Sequence, residues 1–198
     1  MPGAILTFIR FTDRINYWIG RFAMYLIFVL VGVLLWSSIS KTFFLPTIWT
    51  LETAQFVMVA YYVLGGPYSI QLGSNVRMDL FYGGWSPRTK AWIDAVTVLF
   101  LMFYLGVLFY GAIGSTAYSL GYFGNEPVSF FWDLFLAFVT GGTTAAAEVT
   151  GYIERSSTAW RPQMWPVKSI MSVGVFLMLL QALAEFFKDI GRLRGEEF

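Results

Sequence analysis

Long apolar runs, each about as long as a bilayer is thick, alternate with short polar connections along the chain. A helix needs about 20 mainly apolar residues to cross a hydrocarbon core of roughly 30 Å, and Pro, Gly or clustered charge mark the connections. The pattern therefore predicts four membrane-spanning helices. Their predicted bounds are 22–40, 52–70, 90–120 and 167–187.

The residues before the first span predict an amphipathic helix at the membrane surface. Apolar residues recur there at helical spacing, and Arg10, Asp13, Arg14 and Arg21 lie among them. Such a helix places its apolar face in the membrane and its charged face toward the headgroups.

The third span has a clear start signal. Ser86 is a suitable N-cap because its hydroxyl can accept a hydrogen bond from the first turn, and Pro87 suits the first helical position. A helix from there to about Leu120 is about 50 Å long, which exceeds the bilayer core. We expect it to be tilted or to project into water.

The segment 125–152, between the third and fourth spans, has a mixed character. Its apolar part, 128–139, is short, and the segment also contains Asp133, two adjacent glycines and Glu148. An acid in lipid is costly without a partner, and about a dozen apolar residues are too few for a crossing. The segment is therefore predicted to be a re-entrant or interfacial helical segment, with a fifth span as the alternative.

Two Trp and two Pro precede the last span within a short polar stretch, at Trp160, Pro162, Trp165 and Pro166. Tryptophan is enriched at membrane–water interfaces, and proline stiffens a loop. This composition predicts a rigid interfacial loop.

Positive charge predicts which side of the membrane each connection faces. Basic residues cluster before the first span, between the second and third, and after the last: Arg10, Arg14, Arg21, Arg77, Arg88, Lys90, Lys188, Arg192 and Arg194. The positive-inside rule places all three clusters in the cytoplasm, so both termini are cytoplasmic and the number of crossings is even. Four crossings leave Arg155, Arg161 and Lys168 outside, whereas five would export the C-terminal cluster.

Composition narrows the range of functions. The 198 residues are 57% hydrophobic and 20% aromatic but only 13% charged, whereas soluble domains carry about 25% charged residues; we expect one membrane domain over 1–198. The net charge of +1 gives no basis for nucleic-acid binding. The sequence has no His and no Cys, which excludes histidine-ligated haem, iron–sulfur clusters, Cys/His zinc sites and His-based triads. No cofactor or metal site is predicted.

Few residues in the predicted spans have chemistry of their own. Glu52 begins the second span, either as a buried ion-pair partner or coupling acid, or as an N-terminal acid favoured by the helix dipole and the headgroup region. Arg77 and Asp79 lie in a polar loop, either as a contact for a partner or lipid phosphate or as a local ion pair. Glu148 is the best candidate if a proton or cation path runs through the chain, but one acid without a Lys, a His or a second acid inside a span is a poor relay. Because no acid pair or nucleophile–base pair lies in a span, an enzyme is not predicted.

Three stretches of the sequence together point to one family. They are FIRFTDRINYWIGRFAMYLIFVLVGVLLW, TLETAQFVMVAYYVLGGPYSIQLGSNVRMDLFYGGWSPRTKAWID and SSTAWRPQMWPVKSIMSVGVFLMLLQALAEFFKDI. They resemble, in turn, the amphipathic lead and first span, the second span and its loop, and the entry to the fourth helix of the DctQ-like family. This family is the small membrane subunit of tripartite ATP-independent periplasmic (TRAP) transporters. The matching residues are Glu52, Gly65, Val76, Arg77, Asp79, Trp160, Pro162, Trp165, Pro166 and Lys168.

Two features depart from the family pattern. Asn75 stands where many members have His, so a role that needs imidazole does not carry over. The segment 127–152 is longer than the family's usual loop between its third and fourth helices.

The resemblance implies a four-helix scaffold in the bacterial inner membrane, among phospholipids, bound to a large multi-span (DctM-like) subunit. That partner would import an organic acid by sodium-driven, elevator-type transport, with the acid delivered by a periplasmic substrate-binding protein. The residues expected at assembly or docking surfaces are Glu52, Arg77, Asp79, Trp160, Arg161, Pro162, Trp165, Pro166 and Lys168. The alternative is a membrane anchor or assembly subunit of an oxidoreductase complex.

Overall fold

The computed structural model describes residues 3–73 and 84–193. Over these ranges the chain forms five helices and no strand. The helices are α1 (Gly3–Phe43), α2 (Thr50–Gln71), α3 (Pro87–Ser119), α4 (Pro127–Val149) and α5 (Trp165–Leu193). The all-helical fold predicted from the sequence is confirmed.

Helix α1 joins the predicted amphipathic lead and the first span into one helix. No proline interrupts the sequence between Pro2 and Pro46, and proline is the residue that most strongly breaks a helix. At 1.5 Å per residue α1 is about 60 Å long, which is about twice the thickness of a hydrocarbon core. Part of α1 therefore lies outside the core or along its surface.

Helix α2 continues through Pro67 to Gln71. Proline has no N–H, so it leaves the carbonyl of Val63 without its helical donor. Gly174 of α5 lies so close to Val63 that a Cβ added at Gly174 would overlap both the Val63 side chain and its backbone. Glycine allows two helix backbones to approach closely in a membrane protein, and here it lets α5 cover the turn that proline weakens.

The predicted start of α3 is confirmed. The Thr89 backbone N–H donates a hydrogen bond to Ser86 Oγ at 3.3 Å, as expected for an N-cap. Pro87 is the first helical residue, a position where a backbone N–H would have no helical acceptor in any case. The helix ends at Ser119, close to its predicted end.

Helix α4 is broken at Gly142. This glycine has φ 68° and ψ −155°, a conformation that residues with a Cβ rarely adopt. Within α4, only Pro127 and Phe130 are buried. The break falls in the segment predicted to be re-entrant or interfacial, and the position of α4 relative to the bilayer stays a prediction.

Among the described residues, four helices are long and apolar enough to cross a membrane: Gly3–Phe43, Trp92–Ser119, Pro127–Val149 and Trp165–Leu193. The number agrees with the four predicted spans, but the set differs because it includes α4 and omits α2. Glu52, Gln55 and the two glycines before Pro67 leave α2 without a stretch as apolar as those in the other four helices. The chain is a multi-pass membrane protein.

Contacts within the chain form two compact units. Unit 1 consists of Met1–Tyr25, Tyr61–Leu108 and Gly174–Phe198, and unit 2 consists of Leu26–Ala60 and Phe109–Val173. Helix α5 is the most buried of the four apolar helices, with 33% of its most apolar stretch buried against 6% in α1. Small residues of α5 make this possible in unit 1, where Ala182 and Ala184 are completely buried.

Large apolar side chains cover the outer faces of the helices. Phe28, Phe100 and Phe103, for example, are 71%, 72% and 75% exposed. Soluble proteins rarely expose contiguous apolar surface of this extent. In a membrane, lipid chains and the helices of a partner cover such faces.

Candidate functional site

The connection between α4 and α5 contains a hairpin, defined by residues 154–164, which belongs to unit 2. Arg155 and Gln163 pair as an isolated antiparallel bridge. Nearer the tip, the Ser156 backbone N–H donates to the Pro162 carbonyl at 2.9 Å. These backbone pairs give a fixed shape to the stretch predicted as a rigid loop.

The tip of the hairpin presents two large side chains to its surroundings. Arg161 has φ 51°, in the left-handed region, which helps the chain reverse direction over a few residues. Trp160 is 40% exposed, and Arg161 is also exposed. Trp and Arg often contribute most of the binding energy in protein interfaces, so the tip is suited to protein recognition.

Glu52, in the first turn of α2, contacts the hairpin. It is 4% exposed, and its Oε1 accepts a hydrogen bond from the Ser156 hydroxyl at 3.0 Å. Its other oxygen, Oε2, is buried without a hydrogen-bond partner among the described residues. The helix dipole favours an acid in this turn, and the partner described for Glu52 is a hydroxyl group rather than the cation of an ion pair.

A second acid fixes the base of the hairpin. Lys168 Nζ donates to Glu154 Oε2 at 2.5 Å and lies 5.5 Å from the centroid of the Tyr118 ring, within cation–π range. The Glu154 backbone N–H donates to the Ser119 carbonyl at 3.0 Å. Together with the contact to Glu52, these bonds hold the hairpin to α2, α3 and α5.

Two glycines allow the segments that follow α3 and α4 to meet in unit 2. The Gly151 backbone N–H donates to the Leu120 carbonyl at 3.0 Å. Gly121 has φ 89°, and a Cβ added there would overlap the Gly151 backbone. Only glycine fits both the space and the conformation at position 121. This contact positions the chain just before the hairpin begins.

Most residues expected at a docking surface come together in or beside the hairpin. These are Glu52, Trp160, Arg161, Pro162, Trp165, Pro166 and Lys168. Arg77 and Asp79 lie outside the described residues. The role of this set at an interface stays a prediction.

A second group of polar side chains, which we call the polar network, lies in unit 1. Its members are Asp13, Asn16, Gln71, Gln181, Glu185 and Lys188. Gln181 is completely buried; its Nε2 donates to Asp13 Oδ1 at 2.9 Å and to Glu185 Oε1 at 3.0 Å. Its Oε1 accepts from Asn16 Nδ2 at 2.6 Å. Lys188 Nζ joins the same two acids, at 2.9 Å from Asp13 Oδ2 and 2.8 Å from Glu185 Oε1.

The two carboxylates fix the orientation of the amides in the polar network. An ionised carboxylate only accepts hydrogen bonds, so Gln181 turns its NH₂ group toward Asp13 and its oxygen toward Asn16. Asn16 must then donate, which leaves its Oδ1 buried and unpartnered among the described residues. Gln71 likewise donates to the Asp13 backbone carbonyl at 3.2 Å, and its Oε1 has no described partner. Both oxygens are acceptors that an ordered water would satisfy.

Sequence reasoning missed the polar network, although a signal was present. Gln181, Glu185 and Lys188 are spaced i, i+4 and i+7, so they share one face of a helix in an otherwise apolar region. Asp13 was expected on the charged face of the amphipathic lead, but it accepts bonds from α5 instead.

The charged side chains of the hairpin and of the polar network mainly stabilise the fold. Among the described residues, no group of three or more His, Cys, Asp or Glu side chains could hold a metal ion. The ion pairs of Lys168 with Glu154 and of Lys188 with Asp13 and Glu185 join parts of this chain to each other. In the part of the chain that the structure describes, the hairpin tip and large apolar side chains on the outer faces of the helices are exposed.

Comparison with known families gives a match to a membrane component of a transporter. Residues 30–134 match the sequence profile of tripartite ATP-independent periplasmic transporters, DctQ component. The match covers more than half of the chain, including all of α2 and α3, and ends before the hairpin. No curated protein and no solved structure matches the chain. With its multi-pass helical fold, the chain belongs to the DctQ family, the small membrane component of TRAP transporters.

Proposed function

We propose that this chain is the non-catalytic small subunit that supports a large, multi-span DctM-like subunit in the bacterial inner membrane. The large subunit would import an organic acid by sodium-coupled, elevator-type movement, and a periplasmic binding protein would deliver the acid. The small subunit would hold the static part of its partner and take no part in substrate recognition. The family match over residues 30–134 carries this proposal.

The distribution of polar groups supports a scaffold role. Transport pathways usually show unpaired intramembrane charge, broken helices in corresponding positions, or internal repeats. In the part of the chain that the structure describes, Lys188 pairs with Asp13 and Glu185, and Lys168 pairs with Glu154. These charges stabilise the chain itself, and large apolar side chains cover much of the outer faces of the helices.

The hairpin tip is our candidate for the docking face of the periplasmic binding protein. Its base is held by three helices, and a rigid loop loses little conformational entropy on binding. We expect Trp160→Ala combined with Arg161→Ala to raise the binding-protein concentration needed for half-maximal uptake. The maximal rate and the ranking of substrates should not change. Uptake assays in reconstituted vesicles, titrated with binding protein, measure both quantities.

The matched control for the hairpin variant is Tyr152→Ala, which removes an aromatic side chain that is 74% exposed just before the hairpin. This control should leave uptake unchanged. An altered substrate ranking in the hairpin variant would contradict the scaffold role, and equal effects of the two variants would contradict docking at the tip.

Arg77 and Asp79 are proposed contacts with the large subunit. Charge reversal at either position should weaken assembly or transport without altering substrate choice. Quantifying the large subunit that co-purifies with each variant tests assembly, and a shifted substrate profile would contradict the proposal.

We infer that both termini are cytoplasmic, which requires an even number of crossings. The three basic clusters support this orientation through the positive-inside rule. It makes α4 the helix that does not cross and places the hairpin in the periplasm. A reporter active only in the periplasm, fused after Phe198, should be silent; a signal would indicate that α4 crosses as well.

A further inference from the structure

The first part of α1 carries a row of exposed arginines, Arg10, Arg14 and Arg21, which we call the arginine stripe. At 100° per residue the three positions lie within about 40° of each other around the helix axis, over a length of about 16 Å. None of the three takes part in the ion pairs found between described residues. The stripe is a concentrated positive surface.

The nearest acid in sequence does not neutralise the arginine stripe. Asp13 is the only acid among the first 25 residues, and it accepts hydrogen bonds from Lys188 and Gln181 in the polar network. An anionic partner would therefore stabilise this surface.

Aromatic side chains within the stripe indicate the chemistry of that partner. Tyr17 and Trp18 are 41% and 66% exposed, and the Arg21 guanidinium lies 5.7 Å from the centroid of the Tyr17 ring. Tyr and Trp favour the level of the lipid headgroups. Directly after the stripe, Phe22 and Tyr25 are 62% and 63% exposed and begin an apolar surface.

We propose that the arginine stripe binds an anionic phospholipid, with the phosphate held by Arg21 and Arg14 and the acyl chains along the surface that begins at Phe22. A guanidinium binds phosphate oxygens through two parallel hydrogen bonds. An acidic protein surface would satisfy the arginines but not the exposed aromatic and apolar side chains beside them. An amphiphile satisfies both.

The geometry sets an order among the three arginines. Arg21 borders the apolar surface, whereas Arg14 and Arg10 lie about 10 and 16 Å farther along the helix axis. A phospholipid whose acyl chains lie along the apolar surface that begins at Phe22 places its phosphate nearest to Arg21, in whichever direction the helix axis runs. The contribution to lipid binding should therefore fall from Arg21 to Arg14 to Arg10.

Native mass spectrometry of the purified full chain in detergent, titrated with phosphatidylglycerol or phosphatidylcholine, tests this inference. The wild-type chain should bind phosphatidylglycerol more tightly, and the preference should shrink as salt increases. Arg21→Gln should weaken phosphatidylglycerol binding about fivefold, and Arg10→Gln should weaken it least. Lys41→Gln, which removes an exposed lysine from the last turn of the same helix, should have no effect.

Equal affinity of the wild-type chain for the two lipids would overturn the proposal. Unchanged phosphatidylglycerol affinity in the variant R10Q/R14Q/R21Q would do the same, provided that its helical content matches the wild type. If that variant does not fold, unchanged affinity in Arg21→Gln alone is decisive against lipid binding. Loss of the large subunit from the triple variant, with lipid binding intact, would assign the stripe to a protein interface instead.

Discussion

Replacing Gln181 would reveal how much the polar network contributes to stability. Gln181→Leu keeps a side chain of similar size but removes the hydrogen bonds to Asn16, Asp13 and Glu185. Gln181→Glu keeps the shape and replaces the donating amide with a carboxylate that faces two others. The two variants separate loss of hydrogen bonds from added charge repulsion.

The bonds lost determine the expected size of the effect. Hydrogen bonds between helices in a membrane contribute about 0.6 kcal/mol on average and about 1.7 kcal/mol at most. The Asn16 amide, left buried without an acceptor, adds about 1–3 kcal/mol. After subtracting the favourable burial of leucine, Gln181→Leu should lower the free energy of unfolding by about 2–4 kcal/mol, or Tm by roughly 5–15 °C. Gln181→Glu should lower the free energy of unfolding more than Gln181→Leu at neutral pH, because Lys188 is then the one cation of the network among three carboxylates.

Thermal unfolding followed by tryptophan fluorescence is the appropriate assay, because the chain has eight Trp and no Cys for a thiol-reactive dye. Gln55→Leu makes the same change on an exposed part of α2 and should leave Tm nearly unchanged. Acidification should partly restore Gln181→Glu, since a protonated glutamate can donate again. Equal Tm values for Gln181→Leu and Gln55→Leu would refute a stabilising role for the network.

Two further substitutions test the supports of the hairpin. Gly121→Ala should lower Tm by several degrees, because it combines an unfavourable positive φ with overlap against Gly151. Gly114→Ala, where a Cβ meets no neighbour, is the control and should not lower Tm. Similar Tm values for the two variants would show that the glycine contact is dispensable. Lys168→Met keeps the side-chain length but leaves Glu154 without its cation, so limited trypsin digestion should cut after Arg155 faster than in the wild type. An unchanged cleavage rate would show that the ion pair does not hold the hairpin.

Features that depend on residues close together in the chain could be predicted from the sequence alone. Apolar length alone predicts helices of about bilayer length, and Ser86 followed by Pro87 predicts the start of α3 because an N-cap acts within one turn. The Trp and Pro content of the stretch before α5 predicts a loop there, and the structure has a hairpin at that place. Such features depend on residues within a few positions of each other.

The features that could not be predicted depend on contacts between residues that are far apart in the sequence. Glu52 meets Ser156 across 104 positions, and Asn16 meets Gln181 across 165. From the sequence, Glu52 had two interpretations, and nothing near Asn16 indicates the glutamine that it bonds. Pro67 is a further example. Proline alone would favour a break in the helix, but α2 continues through it, and Gly174 packs against the preceding turn at Val63.

Affinity purification of the tagged full chain from membranes that contain its natural partners separates a transporter scaffold from the oxidoreductase alternative. The scaffold role predicts a stable complex with a much larger membrane protein, and an absorption spectrum without haem or flavin bands. A chain that purifies alone, or in a complex with haem or flavin absorption, would contradict it.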